Sequence, residues 1–126
     1  MAESLVPGAR PPASIEELQA RLRSFAQARD WGQFHSPKNL AMALVAEAGE
    51  LVEQFQWLTE AESAALPPER LAAVRHELAD VLIYLVRLGD VLGVDLLAAA
   101  GDKVALNEAR YPAELVRGSA RKYDER

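Results

Sequence analysis

Glu47 and Glu50 stand three residues apart in LVAEAGELVEQFQW (residues 44–57), and Glu77 and Asp80 repeat that spacing in HELAD (residues 76–80). On a helix, positions three apart share a face. Two helices joined by a short connection pack antiparallel, and the four carboxylates would then converge on one small volume. A single ExxE pair is ordinarily a solvated face, because Glu is a good surface helix former. Asp80 does not fit that explanation. It is the only charged residue from Leu78 through Val86, and a carboxylate buried without compensation is costly. Either an arginine (Arg75 and Arg87 are near in sequence) or a metal ion would compensate it. An all-oxygen donor set in a chain without Cys favours Mg²⁺ over Zn²⁺.

Two other metal chemistries are excluded by spacing. HELAD begins like the zinc-protease HExxH, but its fifth residue is Asp80 and no third His is available. A di-iron bundle needs ExxH on two helices, and neither His35 nor His76 follows a Glu by three.

Further along, Lys103, Asn107 and Arg110 fall at i, i+4 and i+7 with Tyr111 beside them. This stripe is either an exposed helix face or a phosphate-binding one, with Lys as a point charge and Arg as a forked donor. Trp31 and Trp57 are the two tryptophans. Core packing is their usual role, but at the mouth of an acidic cleft an indole can stack on a planar base. Tyr84, one turn beyond Asp80, would add a third wall.

The elements that must position these groups are all helical by pattern. Residues 1–13, with Pro7, Gly8, Pro11 and Pro12, read as a mobile leader. Ser14 and Glu17 then form a capping box, and Ile15, Leu18, Leu22 and Phe25 carry a first helix that fades near Asp30. After the loop DWGQFH, Ser36 and Pro37 start a second helix expected to run to about Leu58, with Leu40, Leu44, Leu51, Phe55 and Leu58 as its core stripe. On that helix Gln54 and Trp57 would continue the line of Glu47 and Glu50. A polar connection over residues 59–68 ends in a proline pair that opens a third helix, apolar almost all round, to about Gly93. Asp95 caps a fourth helix that Pro112 ends, and the tail from Glu114 has room for one more helical turn before a charged arm. No strand pattern competes. The fold class is therefore all-α, a four-helix bundle over residues 14–112 with a leader at 1–13 and an arm at 113–126.

Composition agrees with one compact domain: 126 residues, half of them hydrophobic. The apolar stretches exceed what so small a core needs, which implies a homodimer or homotetramer. The absence of Cys points to the cytoplasm, and the longest intense apolar run, VLIYLV, is too short for a membrane span. A net charge of −5 argues against nucleic-acid binding. It still permits a small polyphosphate if divalent cations lie between the two anions.

Three segments, ARDWGQFHSPKNLAMALVAEAGELVEQFQW, ELADVLIYLVRL and NEARYPAELVRGSARKY, together resemble the MazG-like all-α nucleoside triphosphate pyrophosphohydrolases, most closely the dCTP pyrophosphatase branch. The resemblance covers residues 14–123 or so. It implies hydrolysis of a nucleoside triphosphate to the monophosphate and pyrophosphate, with Mg²⁺ on Glu47, Glu50, Glu77 and Asp80. It further implies a nucleobase and sugar pocket from Trp31, Trp57, Tyr84 and Asn107, phosphate or sugar contacts from Lys103, Arg110 and Tyr111, and closure by Lys122 and Tyr123. The chain departs from the pattern at Ala46, where many members carry a second Glu, and at Leu22, where the dCTP-type branch often has His. Glu53, one further step along, is read as solvated. A rival of another class is a catalytically idle helical module that binds a nucleotide or a protein through the same cleft.

Overall fold

The computed structural model describes residues 10–121, and every regular element among them is helical. The helices are α1 (Ile15–Ala28), α2 (Pro37–Glu53), α3 (Glu60–Ser63), α4 (Pro68–Leu92), α5 (Leu96–Arg110) and α6 (Ala113–Val116), with a 3₁₀ turn at Gly32–Phe34. Most of the leader expected at 1–13 lies outside the described residues. No helix among the described residues is long and apolar enough to cross a membrane.

The helix starts follow local chemistry. The Ser14 hydroxyl accepts the Glu17 N–H at 3.0 Å, while the Glu17 carboxylate reaches back one residue further than a capping box requires, to the Ala13 N–H at 3.1 Å. Ser36 accepts from the Asn39 N–H at 3.1 Å with Pro37 at the first helical position. Asp95 accepts from the Ala98 N–H at 3.0 Å to open α5. The helix α3 was not anticipated, although Thr59 and Glu62 form a complete reciprocal capping box there.

The second helix ends earlier than its apolar rhythm suggests. It stops at Glu53, and residues 54–57 form turns, so Gln54 and Trp57 do not continue the helical line of Glu47 and Glu50. The Arg70 guanidinium donates to the Gln54 carbonyl at 2.9 Å, taking up an acceptor that a longer helix would have used.

Three pairs of contacts fix how α2 and α4 run. Gln54 meets Arg70, Glu47 meets Glu77 and Asp80, and His35, just ahead of α2, meets Arg87. Position rises along one helix as it falls along the other, so the two are antiparallel, as their short connection requires. α4 also packs against α1, where Arg23 grips Asp90 through two hydrogen bonds of 3.1 and 2.6 Å.

The chain divides into two compact units, residues 1–92 and 93–126. Among the described residues the buried hydrophobic side chains are Ala26, Leu40, Val74 and Val86, all in the first unit. The rest of the stripe expected on the second helix, Leu44, Leu51, Phe55 and Leu58, is only half-buried. Large apolar side chains remain exposed on α2 (Met42, Val45, Val52) and α4 (Leu71, Leu78, Leu82, Leu85). In the second unit, Tyr111 ends α5 just before Pro112, and α6 is the extra turn expected of the tail.

Because Leu40 is 1% exposed in so small a core, Leu40→Ala is expected to cost about 2–5 kcal/mol. Urea unfolding followed by far-ultraviolet circular dichroism checks this; a loss below about 1 kcal/mol would place the core elsewhere.

Candidate active site

The two carboxylate pairs face each other across the α2–α4 interface. Ligand oxygens of Glu47, Glu77 and Asp80 all lie within 4.8 Å of one another, and each of these side chains is half-buried. Glu50 is more exposed and is near enough to Glu47 and Glu77 to raise the pKa of both. One oxygen of Glu47 and one of Glu77, Oε2 in each case, are buried with no hydrogen-bond partner. Buried carboxylate oxygens are normally paired, so two orphans in one cluster call for a bound proton or a cation.

The arginines do not supply it. Arg87 turns to Asp90 (3.4 Å) and to His35, away from the cluster, and Arg75 is exposed. The cost appears in the titration of the carboxylates. Burial, then the neighbouring Glu50, then the charges of Asp80 and Glu77 push the Glu47 carboxyl up to about 7 from an ordinary 4.5. Glu77 is raised for the same leading reason, burial, reinforced by Glu50 and Asp80. With its pKa raised on folding, Glu47 retains a proton that the unfolded chain releases as the pH passes 4.5. Its contribution to stability is therefore fully present below that value and is lost as the pH rises toward about 7. A divalent cation would remove the penalty. All-carboxylate donors at this spacing suit a hard oxygen-seeking ion such as Mg²⁺.

Beside the cluster is a cavity of about 300 Å³. From α1 it takes Leu22, Phe25 and Ala26; from the following loop, Trp31 and His35; from α4, Asp80, Ile83, Tyr84 and Arg87. The volume is at the lower end for small-molecule sites, and the wall is mostly apolar with a few polar groups, as such sites are. Asp80 belongs to both features, so the acidic cluster opens directly onto the cavity.

Local structure explains how the loop presents its aromatic. α1 ends with the Trp31 N–H bonded to the Ala26 carbonyl at 2.9 Å and the Asp30 N–H to Gln27 at 3.1 Å. Asp30 sits at φ 53°, the left-handed residue that this double-bonded helix end needs. Trp31 is thereby turned back onto α1, its ring edge-on to Phe25 at 5.5 Å between centroids. The Asn39 side chain donates to the Phe34 carbonyl at 3.0 Å, pinning the loop to the start of α2.

The expected site residues thus separate into groups. Glu47, Glu77 and Asp80 come together with Glu50 alongside, and Trp31 and Tyr84 line the adjoining cavity. Trp57 does not line it and is 87% exposed. Glu53, the last residue of α2, is exposed as expected. Lys103 and Asn107 are exposed on α5, and Arg110 and Tyr111 are half-buried at its end, all four in the second unit. Lys122 and Tyr123 lie outside the described residues. Sequence reasoning missed His35, Ile83 and Arg87 as cavity residues and took Phe25 as core. Spacing held the signal for two of them: Ile83 and Arg87 stand three and seven residues after Asp80, on its face of the helix.

The chain is similar to known proteins over most of its length. Residues 42–125, which include all four carboxylates, match the MazG-like family. The chain is 48% identical over 117 residues to dCTP pyrophosphatase 1 of Homo sapiens, covering 91% of this chain and 69% of that one. To dCTP pyrophosphatase 1 of Mus musculus it is 49% identical over 115 residues, covering 90% and 68%. Among solved structures, a pyrophosphatase from Archaeoglobus fulgidus superposes with a TM-score of 0.75 at 39% identity, over 82% of this chain and 97% of that one. A shared all-helical fold, an extended family match and near-half identity over 68–69% of the relatives' length place the conclusion beyond fold likeness: the chain belongs to the MazG-like family.

Proposed function

We propose that the chain is a nucleoside triphosphate pyrophosphohydrolase, converting a nucleoside triphosphate and water to the monophosphate and pyrophosphate. Its preferred substrate is dCTP or a modified pyrimidine deoxynucleoside triphosphate, which it removes from the free nucleotide pool of the cytoplasm rather than from nucleic acid. The single observation that carries this reading is Asp80, shared between a carboxylate cluster with orphaned oxygens and an aromatic-walled cavity. One end suits the cation-bound phosphates of a nucleotide and the other its base. The names of the similar proteins, two dCTP pyrophosphatases and a pyrophosphatase, support the same reaction.

In this reading Glu47, Glu50, Glu77 and Asp80 hold Mg²⁺, and the domain that works is residues 14–112. The ion, when bound, neutralises the triphosphate and lowers the pKa of a water molecule. The chain's own residues do the rest. Trp31 and Tyr84 wall the base and exclude water from it, and Leu22 keeps that wall apolar. Trp57, exposed in the single chain, and Asn107 are assigned to the base and sugar. Lys103, Arg110 and Tyr111 neutralise and orient phosphates or sugar, with Lys122 and Tyr123 closing over them.

The exposed leucines of α4 and the exposed Met42, Val45 and Val52 of α2 support association of four-helix protomers into a homodimer or homotetramer. A reading as an idle binding module gains nothing from the site, since binding alone gives no reason to bring four carboxylates together at this cost.

Pyrophosphate release from a panel of unmodified and 5-substituted nucleoside triphosphates, with Mg²⁺ and with EDTA, tests the reading. Metal-dependent turnover concentrated on dCTP and its analogues is expected; no turnover by the folded, metal-supplied chain would refute it. Asp80→Asn should lower kcat by about a hundredfold or more, the scale of losing one electrostatic stabiliser, with unchanged helical circular dichroism. Trp57→Ala should raise KM through loss of about 1–3 kcal/mol of stacking. An unchanged KM would remove Trp57 from the pocket.

A further inference from the structure

At the end of the cavity away from the carboxylates, a chain of charged groups leads to one imidazole. Arg23 on α1 holds Asp90 with two hydrogen bonds, Nε to Oδ2 at 3.1 Å and Nη2 to Oδ1 at 2.6 Å. Asp90 also accepts from Arg87 Nη1 at 3.4 Å, and Arg87 Nε donates to His35 Nδ1 at 3.1 Å. Arg87 and Asp90 are largely buried, with side chains 13% and 11% exposed. Two donors on one carboxylate fix the Arg87 fork in place, and a fixed fork presents its remaining N–H groups in set directions.

The consequence lies in the imidazole. A guanidinium carries donors and no acceptor, so the ring nitrogen that receives its Nε–H must be unprotonated. A histidine with unprotonated Nδ1 is neutral and carries its one proton on Nε2. His35 and Arg87 both line the cavity, whose wall also includes Asp80 of the acidic cluster.

We propose that Arg87 is a positioning residue that holds His35 as the neutral Nε2–H tautomer, so that this end of the cavity offers hydrogen-bond donors to the edge of the bound base. The proposal rests on the pyrophosphohydrolase reading and deepens it by naming what selects the base. A cytosine edge presents adjacent acceptors, N3 and O2, to a wall of donors. A uracil or thymine edge interposes the N3–H donor, and a donor facing a donor leaves both without a partner. Other properties of the groups agree. Burial first, and the Arg87 charge second, lower the His35 pKa below its usual value. The hydrogen bond from Arg23 leads in holding Asp90 below the usual carboxylate range, so the anchor stays charged. The charged and titratable groups around the cavity and the imidazole are Asp80, Tyr84, Arg87 and Asp90 from α4 and Arg23 from α1, with Asp80 belonging to the acidic cluster, while the α1 residues lining the cavity carry no charge.

The test is ¹⁵N NMR of the imidazoles in the full chain across a pH titration, with the two histidines told apart by His76→Gln, alongside steady-state kinetics on dCTP and dTTP. In the unsubstituted chain His35 should show an unprotonated Nδ1 and a protonated Nε2, and should remain neutral to a lower pH than an ordinary histidine. Arg87→Met leaves Asp90 its two bonds from Arg23, so the fold should persist. It should move the His35 titration to higher pH, raise KM for dCTP about tenfold with kcat little changed, and reduce the preference for dCTP over dTTP. Arg87→Lys, which keeps a donor and a charge, should recover part of the titration shift. A protonated Nδ1 in the unsubstituted chain would overturn the proposal, as would an Arg87→Met variant with unaltered His35 titration and base preference. The NMR signature needs no turnover, so an inactive chain showing it would refute the hydrolase reading without touching the His35 assignment.

Discussion

Like charges gathered where they should repel set the terms for the rest of this molecule. Glu47, Glu77 and Asp80 are held within reach of a single ion, with Glu50 alongside, and two of their oxygens are buried without a partner. A fold tolerates this only if the backbone leaves the side chains no alternative. Here the constraint is geometric. Two antiparallel helices each place an acidic pair on the face toward the other, and the contacts on either side, Arg70 with Gln54 and Arg87 with His35, prevent the helices from sliding apart in register. The chain thus preorganises a cation site at the expense of its own stability without the ion.

That expense is notable because little else among the described residues is deeply buried. Ala26, Leu40, Val74 and Val86 form a thin core, and leucines along α4 remain uncovered. Polar clamps therefore carry part of the positioning. The Arg23–Asp90–Arg87–His35 chain ties α1, α4 and the intervening loop together at one end of the cavity, while the left-handed Asp30 turns Trp31 into it at the side. Cavity and cluster meet at Asp80, so any shift of α4 alters both the phosphate end and the base end of the site.

The acidic pairs were legible because their spacing is a property of the helix itself: three residues apart on consecutive helices admits few arrangements. Helix starts were legible for a similar reason, since Ser14, Ser36 and Asp95 act on amides within three residues. The end of α2 was not. The apolar rhythm continues past Glu53, and what closes the helix there is Arg70, sixteen residues on, bonded to the Gln54 carbonyl. The pairing of His35 with Arg87 escaped notice for the same physical reason, since a hydrogen bond spanning fifty-two positions leaves no local trace. Phe25 and Leu22 have the sequence pattern of core residues, and only the gap between α1 and α4 turns them into a cavity wall.

The most direct test of a frustrated carboxylate site is thermal unfolding in EDTA from about pH 5 to pH 8, for the unsubstituted chain and for Glu47→Gln, repeated with Mg²⁺. His35, whose lowered pKa makes its own contribution grow as pH rises, is common to both chains and cancels in the difference. The account predicts that without metal the unsubstituted chain loses Tm relative to Glu47→Gln as the pH rises from 4.5 toward about 7, and that Mg²⁺ restores it while adding less to the variant. Two curves that stay parallel across that range, or equal stabilisation of both chains by Mg²⁺, would contradict it.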